Sequence, residues 1–525
     1  MQKSQHYKFL IGTSILLLTF HALIFSKFTI DDAYITFTYA KNLVQGNGPV
    51  FAPGNYIEAT SSMLWAFLLS PFEFFFQNGA IAGSKILGAA SLIGTQIIGV
   101  FLTRELLRNS PFVYYANLLF SFLLAGTSSF VVWGTYGMEN GLVALLLTSS
   151  TWLYLKEYRT GQGYASAFLI FLLETVRPEG FIYILIFTIF RFLFFPISTE
   201  KDHAKWAFYW TKILTGCLII YEGAGLYYFG HLMPNTVQAK VGWDLWGRIL
   251  SGTAYLTTVF TLPYIILFTA SGCLFFIFLR TQKKSKVKSA IQIISDEVPM
   301  IILFSIIFVH LIFVAFVGGD WMPNARFLSH LTPLILIFFV VAVFRVFQQQ
   351  WIPITKSQKT AGYILSVCAL STFFGMNAIL SMISYQSQAA LQIAEERALS
   401  GMAFLLNKIS SGKETTVACS DIGRMGYYFK GTVIDWWGLA DEEIASTNQA
   451  LGNIDPATIL RRKPDFIVLY SNEPVLQADT IRENMAIYSR SFFENPDFTR
   501  NYEQIDSLLF WEGRWHILFQ RRPDN

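Results

Sequence analysis

The stretch Phe9–Val44 reads FLIGTSILLLTFHALIFSKFTIDDAYITFTYAKNLV. Its first half, Phe9–Phe25, is an apolar run close to the roughly 20 residues a helix needs to cross a bilayer. No small-x-small cleavage site follows, so the run reads as a retained first span rather than a removed signal. Its second half opens on two adjacent acids, Asp31 and Asp32, at the point where the chain leaves the apolar phase.

The rest of the chain shares the character of that run. Of its 525 residues 53% are hydrophobic and 14% charged, where a soluble domain carries roughly 25% charged residues. Ten further stretches are long and apolar enough to count as spans, at 83–103, 113–131, 140–156, 163–177, 180–197, 207–229, 254–279, 299–317, 331–349 and 362–384. With 8–28 this gives a polytopic α-helical membrane domain, 1–384, of about 11 spans. The stretch 61–77, broken by Pro71 and Glu73, reads as an interfacial or re-entrant helix. Of the four cysteines, Cys217, Cys273 and Cys368 lie in apolar segments and only Cys419 lies in the polar tail, so no disulfide framework is implied.

Orientation follows from the basic residues. With the N-terminus inside, the cytoplasmic loops collect Arg104, Arg108, Lys156, Arg159, Lys201, Lys205 and the Lys-rich TQKKSKVK at 281–288, while the short outer loops hold far fewer. That Lys-rich segment reads as a cytoplasmic anchor, not a nucleic-acid surface. The tail, 385–525, then lies outside. TTVACS, TVIDWWG and DFIVLY read as buried strands alternating with helical stretches, SLLFWEGRWHILFQ as a closing hairpin, and the whole as an extracytoplasmic α/β domain.

The same topology places the unusual polar residues on the outer face. Asp31 and Asp32 have an ordinary reading as caps of an amphipathic helix with Tyr34, Phe37 and Val44 on one side. They also suit a catalytic base, one carboxylate taking the proton of an acceptor hydroxyl while its neighbour positions that hydroxyl or binds a cation. Such chemistry needs no general acid when the leaving group is a phosphate whose growing charge meets cationic side chains. Candidates for that partner are Arg177, Arg326, Lys41 and Lys240. Tyr34, Glu58, Glu139, Glu179, His231, Asn235, Asp320 and His330 complete a candidate substrate site. For each the plain alternative is snorkelling or helix capping. Trp436, Trp437, Trp511 and Trp515 of the tail are candidates to stack on a glycan, with core packing as the alternative.

In order along the chain, DDAYITFTYAKNLVQGNGPVFAPG, YGMENGL, VRPEGF, MPNTVQAK, GGDWMPNARFLSHLTPL and SDIGRMGYYFKGTVIDWWGLAD resemble the bacterial membrane glycosyltransferases of the GT-C fold. The resemblance is to the branch containing the mycobacterial terminal β-arabinofuranosyltransferases. It departs at Thr38, where members often carry Arg, and at IEATSSMLW, where they often carry VEGYTN. It implies an inverting transfer of a sugar, arabinofuranose or another pentose or hexose, from a polyprenyl-phosphate donor to a cell-envelope glycan or glycolipid. It places the reaction at the outer face of the bacterial inner membrane and the catalytic centre at Asp31 and Asp32. A divalent cation is allowed and not required. A transporter or a ligase of lipid-linked envelope glycans remains the alternative.

Overall fold

A computed structural model describes residues 2–193, 200–236, 245–259, 263–282, 290–348, 356–447, 455–474, 487–511 and 513–523. The chain forms two compact units. One comprises Met1–Lys27, Lys85–Tyr221 and Leu245–Tyr385, the other Phe28–Ser84, Glu222–Asp244 and Gln386–Asn525.

The first unit is helical. Each stretch read as a span is largely helical over its described residues. Among the described residues, four helices are long and apolar enough to cross a membrane: Gln5–Phe25, Gly79–Leu106, Glu297–Val317 and Val367–Ser410. A fifth follows if Val113–Gly126 and Ser128–Thr135, bent by 59° at Thr127, count as one span. A break in an apolar phase frees backbone groups that need new partners. Here the Ser128 N–H donates to Asn377 Oδ1 at 3.1 Å, and Thr127 Oγ1 donates to the Leu123 carbonyl at 2.8 Å. Buried polar pairs tie other helices together, among them Gln96 Nε2 donating to Ser14 Oγ at 2.9 Å.

The second unit is built on a five-stranded sheet: β1 (Thr416–Cys419), β2 (Thr432–Asp435), β3 (Phe466–Ser471), β4 (Tyr502–Trp511) and β5 (Arg514–Arg521). The strand order is β2-β1-β3-β5-β4. β1 pairs in parallel with β2 and β3, whereas β5 runs antiparallel to β3 and β4. Successive residues of a strand point to opposite faces, and both faces here are apolar. Val417, Cys419, Phe466, Val468 and Leu518 face one side. Ala418, Ile434, Ile467, Leu469 and Ile517 face the other, which the tail covers itself with Trp436, Ile459, Phe492 and Phe498.

The first face is covered in part from the other end of the sequence. Ile35, Tyr39, Phe51, Ala59, Met63 and Ala66 join its core with Met402 and Leu406 of the helix Gly401–Ser410. The helix Asp31–Val44 is therefore not amphipathic. Ala33 through Ala40 are buried on every side of it, because it fills the space over a sheet. The helix Met63–Phe75 contains Pro71, and Phe74 and Phe75 at its end and the following Phe76 are exposed.

Candidate active site

The acidic pair sits in the first turn of the helix Asp31–Val44, whose N-cap, Ile30, has no side-chain oxygen to offer. Asp31 instead caps a different helix. Its Oδ2 accepts from the Gly423 N–H at 3.1 Å and its Oδ1 from the Arg424 N–H at 2.8 Å, at the start of the helix Ile422–Tyr428. A carboxylate placed there satisfies orphan donors and meets the positive end of the helix dipole. Burial nevertheless pushes the Asp31 carboxyl up to about 6, with the Asp32 charge adding to the rise and the Arg424 N–H and guanidinium opposing it. Asp32 is half-buried.

Gly423 is required by this contact. A Cβ there would stand 2.0 Å from the Asp31 carbonyl oxygen and 2.5 Å from its Oδ2. Gly423→Ala is expected to cost about 1–3 kcal/mol through forced overpacking. It should also raise amide exchange across 422–428, measured by hydrogen–deuterium exchange; unchanged protection would contradict the placement.

Arg424 is the largest polar group of this site and escaped sequence reading. It is 1% exposed. Its Nη1 donates to Tyr34 Oη at 3.1 Å, and its Nη2 donates to the Thr29 carbonyl at 3.1 Å and to Glu395 Oε2 at 3.2 Å. The guanidinium also lies over the Tyr34 ring at 4.6 Å. Glu395 directly precedes a π-helical turn, Glu396–Ser400, a local irregularity common at functional sites. Tyr34, a candidate from the sequence, is thus a partner of Arg424. Lys41 donates to the Tyr427 carbonyl at 2.7 Å, and Tyr427 Oη donates to Glu73 Oε2 at 2.9 Å.

Glu58, His231 and Asn235 gather around the segment that follows β2. Asn235 receives the first contact through its own N–H, which donates to the Glu58 carbonyl at 3.0 Å. Its Nδ2 donates to the carbonyls of Gly438 at 2.6 Å and Leu439 at 3.0 Å. His231 Nε2 lies 3.0 Å from Glu442 Oε1. Lys240 lies outside the described residues. Asp435, at the end of β2, caps this loop by accepting from the Trp437 and Ala440 N–H groups at 2.9 Å each. Trp436 is fully buried against the sheet, so core packing, not glycan stacking, is its role; Trp511 is exposed on the hairpin.

Burial raises the carboxyls of Asp435 and of Glu58 to about 7, the latter helped by Glu222. With Asp31 these groups bind protons more readily folded than unfolded. Their contribution to stability is complete below the unfolded pKa values and is lost as pH rises through about 6–7. The unfolding temperature of the detergent-solubilised chain is therefore expected to rise by a few degrees between about pH 7.5 and pH 5.5. Asp435→Asn and Glu58→Gln should each shrink that rise, and a rise left unchanged by both would contradict this assignment.

The remaining candidates lie in the first unit. Arg177, in the turn between the helices Ala165–Val176 and Gly180–Leu193, pairs with Glu139 at 2.7 Å and with Glu179. Arg326 is held by both oxygens of Asp320, at 2.6 and 3.1 Å. Asn324 and Ala325, just before it, both adopt positive φ, 59° and 52°, a conformation that costs a non-glycine residue energy. The Asn324 carbonyl accepts from Ser129 Oγ at 2.8 Å and from Trp133 Nε1 at 3.2 Å, which fixes that strained turn. His330 is buried in a trio in which Tyr183 Oη lies 2.9 Å from both His310 Nδ1 and His330 Nε2. The sequence candidates thus fall into two groups: Glu139, Arg177, Glu179, Asp320, Arg326 and His330 in one unit, Asp31, Asp32, Tyr34, Lys41, Glu58, His231 and Asn235 in the other. Among the described residues no group of three or more His, Cys, Asp or Glu is placed to hold a metal ion.

The chain is similar in fold to solved membrane glycosyltransferases. The archaeal oligosaccharyltransferase AglB from Archaeoglobus fulgidus, solved with an inhibitory peptide and a dolichol-phosphate, superimposes with a TM-score of 0.54 at 11% identity, covering 89% of this chain and 69% of that one. The mycobacterial arabinofuranosyltransferase AftD superimposes with a TM-score of 0.50 at 14% identity, over 99% of this chain and 40% of that one. In sequence the chain resembles the terminal β-(1→2)-arabinofuranosyltransferase of Corynebacterium glutamicum, at 27% identity over 354 residues, 60% of this chain and 48% of the relative. The chain thus spans about half the length of the curated relative it matches. Residues 383–521 match a domain of unknown function, DUF8728.

Proposed function

We propose that the chain is an inverting glycosyltransferase of the bacterial inner membrane, with its reaction centre and tail on the extracytoplasmic side. It moves a sugar from a polyprenyl-phosphate donor to a cell-envelope glycan or glycolipid. Asp32 takes the proton of the acceptor hydroxyl, and the oxygen attacks the anomeric carbon as the bond to the phosphate breaks. Asp31 holds the pair in place. The observation that carries this division is that both Asp31 oxygens accept backbone N–H groups at the start of the helix Ile422–Tyr428, which suits a positioning role.

Arg177 and Arg326 are proposed to meet the donor phosphate by exchanging a carboxylate partner for it, the anion being a close geometric match for a guanidinium. The resemblance to arabinofuranosyltransferases makes arabinofuranose the first sugar to test. Purified chain incubated with polyprenyl-phosphate arabinofuranose and, separately, with hexose-bearing donors should form a glycoside with inverted anomeric configuration, read by NMR. Activity only with a diphosphate donor, or retention of configuration, would overturn the reading.

A further inference from the structure

In the tail sheet, β1 is followed in sequence by β2 on one side and then by β3 on the other. Such a reversal opens a crevice at the carboxyl ends of the strands, the usual ligand position of open α/β sheets. Here that position is polar. Ser420 and Asp421 follow β1, Tyr470 is the next-to-last residue of β3, and His516 of β5 pairs with Tyr470. Ser420 Oγ donates to Tyr470 Oη at 2.9 Å, Tyr470 Oη donates to Asp421 Oδ2, and His516 Nε2 lies 3.8 Å from that same oxygen. Leu399, Met402, Met425 and Val468 supply apolar walls to this cavity.

His516 is the unusual member. It is 2% exposed, and among the described residues neither ring nitrogen has a hydrogen-bond partner. Its ring stacks on Phe510 at 4.9 Å with 10° between the planes. Burial lowers its pKa to about 3, so the ring is neutral and offers one donor and one acceptor. Leaving such a group unsatisfied carries a desolvation cost that a phenyl ring in the same stack would not. The Asp421 carboxyl stands at the mouth, 34% exposed.

We propose that this crevice is a carbohydrate subsite that receives one hydroxyl-bearing arm of the acceptor glycan. A hydroxyl gives and accepts a hydrogen bond at once, which a neutral imidazole beside a carboxylate requires. An apolar group would leave His516 unsatisfied. The floor has room for one water-sized group, so the sugar ring itself stays at the mouth. The inference rests on the glycan-acceptor reading above.

The test uses the full chain in detergent, neutral pentose and hexose oligosaccharides as probes, inositol phosphate as the anionic control, and saturation-transfer NMR. At least one neutral probe should bind, and His516→Phe and Tyr470→Phe should each weaken it by about tenfold. His516→Phe should keep or raise the unfolding temperature, since an apolar ring replaces an unsatisfied one. Equal binding by wild type and both variants, binding of the anionic control alone, or no binding at all would overturn the subsite. Binding without any transfer activity would overturn the transferase instead, and transfer with unaltered binding in both variants would leave the transferase and remove the subsite.

Discussion

Asp32→Asn is expected to lower the transfer rate by about 10²–10⁴-fold, the range a positioned general base contributes. Asp31→Asn should behave differently. It keeps one good acceptor for the Gly423 and Arg424 N–H groups and loses the other, and it removes a negative charge whose guanidinium neighbour lies 4.0 Å away. A buried N–H left without an acceptor costs about 1–3 kcal/mol, so this variant should lose stability as well as rate. The pH profile separates the two assignments. Were Asp31 the base, Asp32→Asn would retain much of the rate, and its acid limb would fall below about pH 6, because the Asp32 charge is one of the causes that raise the Asp31 carboxyl. The measurement is initial transfer rate against pH for both variants, together with thermal unfolding. Full activity in Asp32→Asn would sink the assignment.

Much of the frame was legible because its signals are local. Runs of apolar residues announce helices in an apolar phase, and the stretches read as spans are largely helical over their described residues. TTVACS, TVIDWWG and DFIVLY became β1, β2 and β3, and the turn near Gly513 closed the hairpin of β4 and β5. What stayed hidden depends on partners distant in sequence. Arg424 lay within a quoted motif, yet nothing within a helical turn of it reveals that its backbone meets a carboxylate 393 residues earlier. The helix after Asp31 looked one-sided because its apolar residues were judged against water and lipid. In the structure Ile35 and Tyr39 pack into the core beneath the sheet. His516 carried no signal at all in a strand whose consecutive residues His516, Ile517, Leu518 and Phe519 are all buried.

The second large effect belongs to Arg424. Its side chain is 2% exposed in a site that also holds Glu395, at 7%, and Asp31, at 15%. Removing one partner of a buried ion pair costs about 3–5 kcal/mol, because the surviving charges have neither water nor a counter-ion. Arg424→Met should therefore destabilise the chain by that order, while filling most of the volume and avoiding a large cavity. Arg424→Lys should rescue little. A single ammonium cannot reach Tyr34, the Thr29 carbonyl and Glu395 from the directions that the planar guanidinium serves at once. Burial pushes the Glu395 carboxyl up to about 8, so above that pH neutralising the stranded acid should recover part of the loss, and Arg424→Met with Glu395→Gln should there unfold at a higher temperature than Arg424→Met alone. Thermal unfolding of the three variants in detergent forms the measurement. If Arg424→Met unfolds with wild type, or if the second substitution worsens the first, the guanidinium is not what neutralises this site. Transfer activity should follow the same ranking, because the guanidinium packs against Tyr34 and neighbours the carboxylate that positions the catalytic pair.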